Sequence, residues 1–257
     1  MDHTALFRRD GDVFTPLAPA HGFWGGGSMS GRAVMGLIGA EIERRHGDET
    51  LVPARLSVDM HRLARLRPAD IVTEVIRDGG RLRLVEARLL IDGVEHARAQ
   101  CQMLRPTGTP PGTVWSPAAP WDVPPPEEVV PVANANQQRT AEWRVISGGI
   151  SVNEPRRTWL REFRPVVEGE PLTPFSRLAL SADLASPWVH SSDRGISYIN
   201  TDVILQLHRL PCDEWIGFES VAHEATNGIA VGSCRIYDRE GSLGYIGVTA
   251  LNNRMPN

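Results

Sequence analysis

Ala54-Arg-Leu-Ser-Val-Asp-Met-His61-Arg62-Leu63 and Thr201-Asp-Val-Ile-Leu-Gln-Leu-His208-Arg209-Leu210 carry one pattern twice. Each is an apolar-rich segment with strand-like alternation that closes on His-Arg-Leu. Further strand-like segments follow the first copy at 71–76, 82–91 and 95–104, and the second at 214–222, 229–237 and 243–251. Asp78-Gly79-Gly80, Asp92-Gly93, Thr226-Asn227-Gly228 and Glu240-Gly241 supply the turns between them. Two antiparallel meanders are the direct reading.

One amphipathic segment precedes each copy. Over 30–46, Val34, Leu37, Ile38 and Ile42 fall on one helical face. Over 173–185, Phe175, Leu178, Ala179 and Ala182 do the same, with Thr173 as a candidate cap and Pro174 at the first helical position. The chain is therefore expected to be an α+β protein in which one helix followed by an antiparallel sheet occurs twice. Between the copies the composition changes sharply. Residues 106–131 hold nine of the 20 prolines, which excludes a helix or a central strand. The expected organisation is an N-terminal unit at 1–105, a Pro-rich linker at 106–138 and a C-terminal unit at 139–257.

The 257 residues, 41% hydrophobic and 23% charged, suffice for a sizeable core. A net charge of −4 argues against non-specific nucleic-acid binding. Every one of the 27 basic residues is arginine, which removes Schiff-base lysine chemistry and the phosphate-loop lysine. Three scattered cysteines, Cys101, Cys212 and Cys234, offer neither a disulfide framework nor a zinc site. The start of the chain lacks signal-peptide character, and no apolar run approaches a bilayer span, so a cytoplasmic location without a membrane span is expected.

Candidate chemistry lies in a few places. The run Phe23-Trp24-Gly25-Gly26-Gly27-Ser28-Met29-Ser30-Gly31-Arg32 reads either as a tight turn or as a loop bringing backbone N–H groups to a ligand. Gly26 and Gly31 have phosphate-loop spacing, but Arg32-Ala33 stands where Lys-Ser/Thr would be, which excludes a nucleoside triphosphate site. Asp183 falls near the apolar face of the second helix and is either a solvated helix end or a base whose pKa burial would raise. The repeated His61-Arg62 and His208-Arg209 suit a shared structural role at a strand end, with a ligand or subunit-surface role as the other reading. His190, Asp193 and His223 invite a nucleophile triad, but no Gly-x-Ser-x-Gly elbow is present. Cys212 has no basic neighbour in sequence to activate it.

In order and spacing these features resemble the type II, TesB-like acyl-CoA thioesterases, whose members carry two hotdog domains in one chain. The resemblance rests on Phe23-Trp24-Gly25-Gly26-Gly27, Ala141-Glu142-Trp143-Arg144-Val145-Ile146, Trp159-Leu160-Arg161, Ala179-Leu180-Ser181-Ala182-Asp183-Leu184, Leu207-His208-Arg209 and the closing strand to Arg254. It covers most of the chain outside the linker and implies a tandem hotdog, each half a central helix wrapped by an antiparallel sheet. In the family, an Asp, a Thr or Ser, and a Gln hold the water that attacks the thioester. The Asp corresponds to Asp183, the hydroxyl position falls at Asn200 or Thr201, and the Gln position falls at Thr249. A threonine there departs from the pattern, being shorter than the amide and differing in geometry, so reduced activity is implied. Trp24, Gly26 and Gly27 would line the acyl-CoA site. No metal or other cofactor is implied, and homo-oligomers, dimeric or tetrameric, are. Two rivals share the fold. One is an enoyl-CoA hydratase, since Asp183-Leu-Ala-Ser-Pro187-Trp-Val-His190 is a stretched form of that family's Asp-x-Asn-Pro-x-His motif. The other is a non-catalytic acyl-CoA or acyl-lipid binder, which the missing Gln would favour.

Overall fold

Two short hairpins open the two halves of a computed structural model that describes residues 4–24, 27–116, 120–132 and 141–253. In the first half, β1 (Phe7–Asp10) and β2 (Val13–Pro16) precede helix α1 (Gly31–His46), then β3 (Val52–Asp59), β4 (Ala69–Asp78), β5 (Leu82–Ile91) and β6 (Val94–Leu104). In the second, β7 (Glu142–Ser147) and β8 (Arg157–Arg161) precede α2 (Pro174–Ala182) and α3 (Ala185–His190). The short strands β9 (Ser191–Ser192), β10 (Gly195–Ile196) and β11 (Tyr198–Asn200) lead into β12 (Asp202–Leu207), β13 (Trp215–Thr226), β14 (Ile229–Asp238) and β15 (Gly241–Asn252). Hairpin, helix, crossing strand and three-stranded meander thus appear twice in the same order.

The strands order as β1-β2-β4-β5-β6-β3-β12-β15-β14-β13-β8-β7, with β11 pairing β15, in one 13-stranded antiparallel sheet. The order is its own mirror image about the β3–β12 contact, where Leu56 opposes Leu205 and Val58 opposes Val203. Here the meander reading needs correction. β4-β5-β6 and β13-β14-β15 are meanders, but β3 and β12 cross to the far edges and pair β6 and β15. Local alternation identifies a strand, whereas its partner is decided by the edge left open, and each crossing strand finds that edge at the junction with the other half.

Both helices start where the caps predict. Ser30 Oγ accepts from the Ala33 N–H at the start of α1. Thr173 and Ser176 form a reciprocal capping box on α2. The second helical segment does not run unbroken over 173–185, because α2 stops at Ala182 and Asp183 is its C-cap. α1 is buried nearly all round, and its glycines set how closely α2 approaches. A Cβ on Gly39 would lie 2.5 Å from that of Ala179, and one on Gly36 would lie 2.8 Å from Leu180 Cδ1. Glycine costs about 1 kcal/mol against alanine inside a helix, so two here are explained by this packing.

The halves interlock beyond the sheet. Leu6 N–H donates to Pro165 O at 3.0 Å and Phe7 N–H to Val166 O at 2.9 Å. Arg32 of α1 ion-pairs with Glu162, both fully enclosed. Residues 121–126 of the Pro-rich stretch lie against the second half. Trp121 stacks on Tyr237 with ring centroids 4.3 Å apart, and Trp159 Nε1 donates to Pro124 O at 2.9 Å. No helix among the described residues is long and apolar enough to cross a membrane.

Candidate active site

The antiparallel packing of α1 on α2 brings the end of one helix to the start of the other. Asp183, the cap of α2, lies against Gly31, the first residue of α1, so closely that any Cβ on Gly31 would collide with the carboxyl group. The Arg32 N–H donates to that carboxylate, and Asn200 Nδ2 donates to its Oδ1 at 2.9 Å. Burial pushes the Asp183 carboxyl above the usual range, opposed by the Asn200 hydrogen bond and by Arg32. The start of α1 favours the ionised form, since unpaired N–H groups and the helix dipole concentrate positive potential there. The result is a carboxylate held in one orientation with a strengthened affinity for a proton.

A cleft of about 110 Å³ opens at this point, with Asp183 and Asn200 from the second half facing α1 and β6 from the first. Met29, Val34, Met60, Leu63 and Ala97 make most of its wall apolar, and Trp24 stands in the wall as well. Two polar residues of the first half, Arg62 and His96, also line it. His96 Nδ1 lies 3.1 Å from Leu63 O, and burial, with a smaller push from Arg62, lowers the pKa of the ring. The neutral ring donates from Nδ1 to that carbonyl, which leaves Nε2 as its acceptor.

The strand register separates the candidates that sequence left together. Asn200 meets Asp183, whereas Thr201 does not. Asn200 ends β11 opposite the inward Ala250, whereas Thr201 lies in the bend between β11 and β12. Thr201 donates through N and Oγ1 to Thr249 O, at 2.9 and 3.3 Å. On β15, Ile246, Val248 and Ala250 are the inward positions and Ala250 opposes Asn200, while Thr249 lines an adjoining outer groove that Asn200, Thr201 and Asp202 also line. The structure thus brings Asn200, and neither Thr201 nor Thr249, into contact with Asp183. Gly27 has a positive φ of 70°, open space at its missing Cβ, and a carbonyl that accepts from Leu66 N–H, a turn role rather than a place in the cleft wall. Gly26 lies outside the described residues.

The hydratase dyad is absent in the form the motif suggested. His190 ends α3, does not line the Asp183 cleft, and its Nδ1 pairs with His223 Nδ1 at 2.9 Å. Burial and His223 press its pKa down to about 4. Cys101 and Cys234 are buried free thiols with raised pKa, and Cys212 is exposed, its pKa also raised. Among the described residues no cluster of three or more His, Cys, Asp or Glu could hold a metal ion. The sequence reading missed His96, which carries no motif. It singled out Arg62 as half of a repeat, with a ligand role as its second reading.

Comparison with known proteins agrees with this architecture. A family model described as the acyl-CoA thioesterase C-terminal domain matches residues 115–244. A structure from Novosphingobium aromaticivorans described as a candidate thioesterase is 21% identical, with a TM-score of 0.74 over 97% of this chain and 99% of that one. A protein of unknown function with a hot dog fold from Alicyclobacillus acidocaldarius is 16% identical, with a TM-score of 0.75 over 100% and 98%. An acyl-CoA thioesterase II, TesB2, from Mycobacterium marinum is 17% identical, with a TM-score of 0.65 over 98% and 96%. At these identities the solved structures establish the hotdog fold. No curated protein sequence matches this one significantly.

Proposed function

The chain belongs to the TesB-like acyl-CoA thioesterase family, and from that premise we propose that it hydrolyses acyl-CoA thioesters through a water activated by Asp183. The carrying observation is the Asp183 carboxylate, oriented by Asn200 and the first turn of α1 and facing an apolar cleft. Its raised proton affinity suits a general base, whose strength should approach the working pH. The water oxygen attacks the thioester carbonyl carbon while Asp183 takes one water proton. The tetrahedral intermediate expels the CoA thiolate, which receives that proton, and the free acid remains. Asn200 has a second amide hydrogen beyond the one given to Asp183, a donor for the attacking water or the developing oxyanion. The two matching halves are read as two hotdog units joined through β3 and β12, working as a cytoplasmic homo-oligomer.

The inward position opposite Asn200 is Ala250, so no amide from β15 completes the water site there. That observation favours a second reading, an acyl-CoA binder without turnover. Free-thiol release from short- to long-chain acyl-CoAs, wild type beside Asp183→Asn, decides between them. Release that falls at least a hundredfold in Asp183→Asn supports the hydrolase. Saturable acyl-CoA binding with no release by the wild type supports the binder, and full release by Asp183→Asn removes Asp183 as the base.

A further inference from the structure

The repeated His-Arg motif has divergent fates. Arg209, just beyond β12, forks onto Asp238 with both contacts at 2.6 Å, and Asp238 is fully enclosed. Arg62, in the corresponding place beyond β3, has no hydrogen-bond or ion-pair partner for its side chain among the described residues, is exposed, and lines the Asp183 cleft. Its loop, Met60-His-Arg-Leu-Ala-Arg-Leu-Arg-Pro68, contains three arginines and no acid, and of these Arg67 already pairs with Asp92 at 2.6 Å whereas Arg62 has no ion-pair partner among the described residues. The loop is also pinned. Arg62 N–H donates to His96 O at 3.2 Å, Met29 N–H to Ala64 O at 2.8 Å, and Met60 N–H to Thr201 O at 2.7 Å. A guanidinium stays charged at any working pH, and its planar fork matches a phosphate or a carboxylate.

We propose that Arg62 is a substrate-anion anchor at the mouth of the Asp183 cleft, the member of the repeated pair whose counter-charge comes from the ligand. The assignment of the cleft as a thioester site rests on the function proposed above. Two parts of an acyl-CoA can carry the anion: the phosphates of the carrier or a carboxylate at the far end of the acyl group. The chemistry Arg62 offers to either is the same.

Four thioesters separate these sources: a neutral and a carboxylate-ended acyl group, each on CoA and on pantetheine, which lacks the phosphates. In Arg62→Ala, kcat/KM for the anion-bearing ester falls about tenfold relative to the neutral pantetheine ester. A loss that follows the carrier identifies the phosphates, and one that follows the acyl end identifies the carboxylate. Added salt shrinks the wild-type preference in the same arm, and Arg62→Lys restores part of it. Equal ratios in wild type and Arg62→Ala, within twofold across all four esters, overturn the anchor. Calorimetric binding of free CoA and of the free dicarboxylic acid to both proteins reads the anchor without turnover. Tenfold weaker binding of either ligand by Arg62→Ala keeps the anchor even if the wild type hydrolyses nothing, an outcome that would remove the thioesterase reading alone. Equal binding of both ligands by both proteins removes the anchor while leaving any hydrolysis intact.

Discussion

Each helix of the central pair begins against a carboxyl group from the other half, and the two ends are used differently. At the start of α1 stands Asp183, and at the start of α2 stands Glu43, which accepts a hydrogen bond from the Thr173 hydroxyl. Burial raises the pKa of both acids. Glu43 spends its oxygen on the cap residue of α2, in a contact that fastens the two helices. Asp183 shares a cleft with Asn200 and faces space that a ligand can fill. The same antiparallel packing thus makes two helix-end carboxyl sites, and what distinguishes the functional one is an open wall beside it.

The largest break in this comparison should come from Asp183→Asn. Thiol release falls a hundredfold to ten-thousandfold, the usual range for a lost general base. Because the folded pKa is raised, the contribution of this group to stability is greatest at low pH and is lost as pH rises through the folded value. Asp183→Asn should therefore melt no lower than the wild type at pH 8. For the same reason the acid limb of wild-type kcat/KM should lie above the ordinary aspartate value of 3.8.

Gly31→Ala sharpens the comparison from the α1 side. Its Cβ displaces the carboxylate, and a shift on the order of 1 Å costs about a hundredfold in rate. Thiol release beside a thermal melt separates that loss from unfolding.

The Arg62 and Arg209 pair gives a test in stability. Burial pushes Asp238 up, but the Arg209 fork and the N–H groups of Cys212 and Glu240 outweigh it and hold the carboxyl at about 2. This stability is present above the unfolded aspartate pKa and is lost as pH falls toward 2. Arg209→Ala should cost about 2 kcal/mol in urea unfolding at pH 7 and flatten the acid dependence, since it leaves an enclosed carboxylate without its counter-charge. Arg62→Ala, exposed and unpaired, should change the same measurement by less than about 0.5 kcal/mol. The smallest effect belongs to Glu43→Gln, which keeps an acceptor for Thr173. Stability should shift by about 0.5 kcal/mol or less, with thiol release unchanged, whereas a large loss of release would place Glu43 in the chemistry.

Much of the repeat was legible because it depends on local pattern. Alternation and turn residues marked six of the long strands, and Ser30 and Thr173 sit where the helix starts required them. The hairpins β1-β2 and β7-β8 were harder to read, since strands this short barely fill one alternation. Asp183 stood out as a carboxylate near an apolar face, and the family resemblance gave it a role. Asn200 and Thr201 could not be separated, because a one-residue change of register exchanges the faces of a strand.

The sequence by itself determined what periodicity, caps and composition control: a helical segment followed by a run of antiparallel strands, twice, and the absence of lysine chemistry. Tertiary structure alone decided what depends on residues far apart in the chain. It paired β3 with β12, set Asp183 against Gly31, turned Asn200 inward and Thr249 outward, and gave Arg209 a carboxylate that Arg62 lacks. The physical reason is range. Helix caps and strand alternation act over a few residues, whereas the burial that raises a carboxyl's pKa and the partner that neutralises an arginine come from whichever segment the packed halves bring alongside.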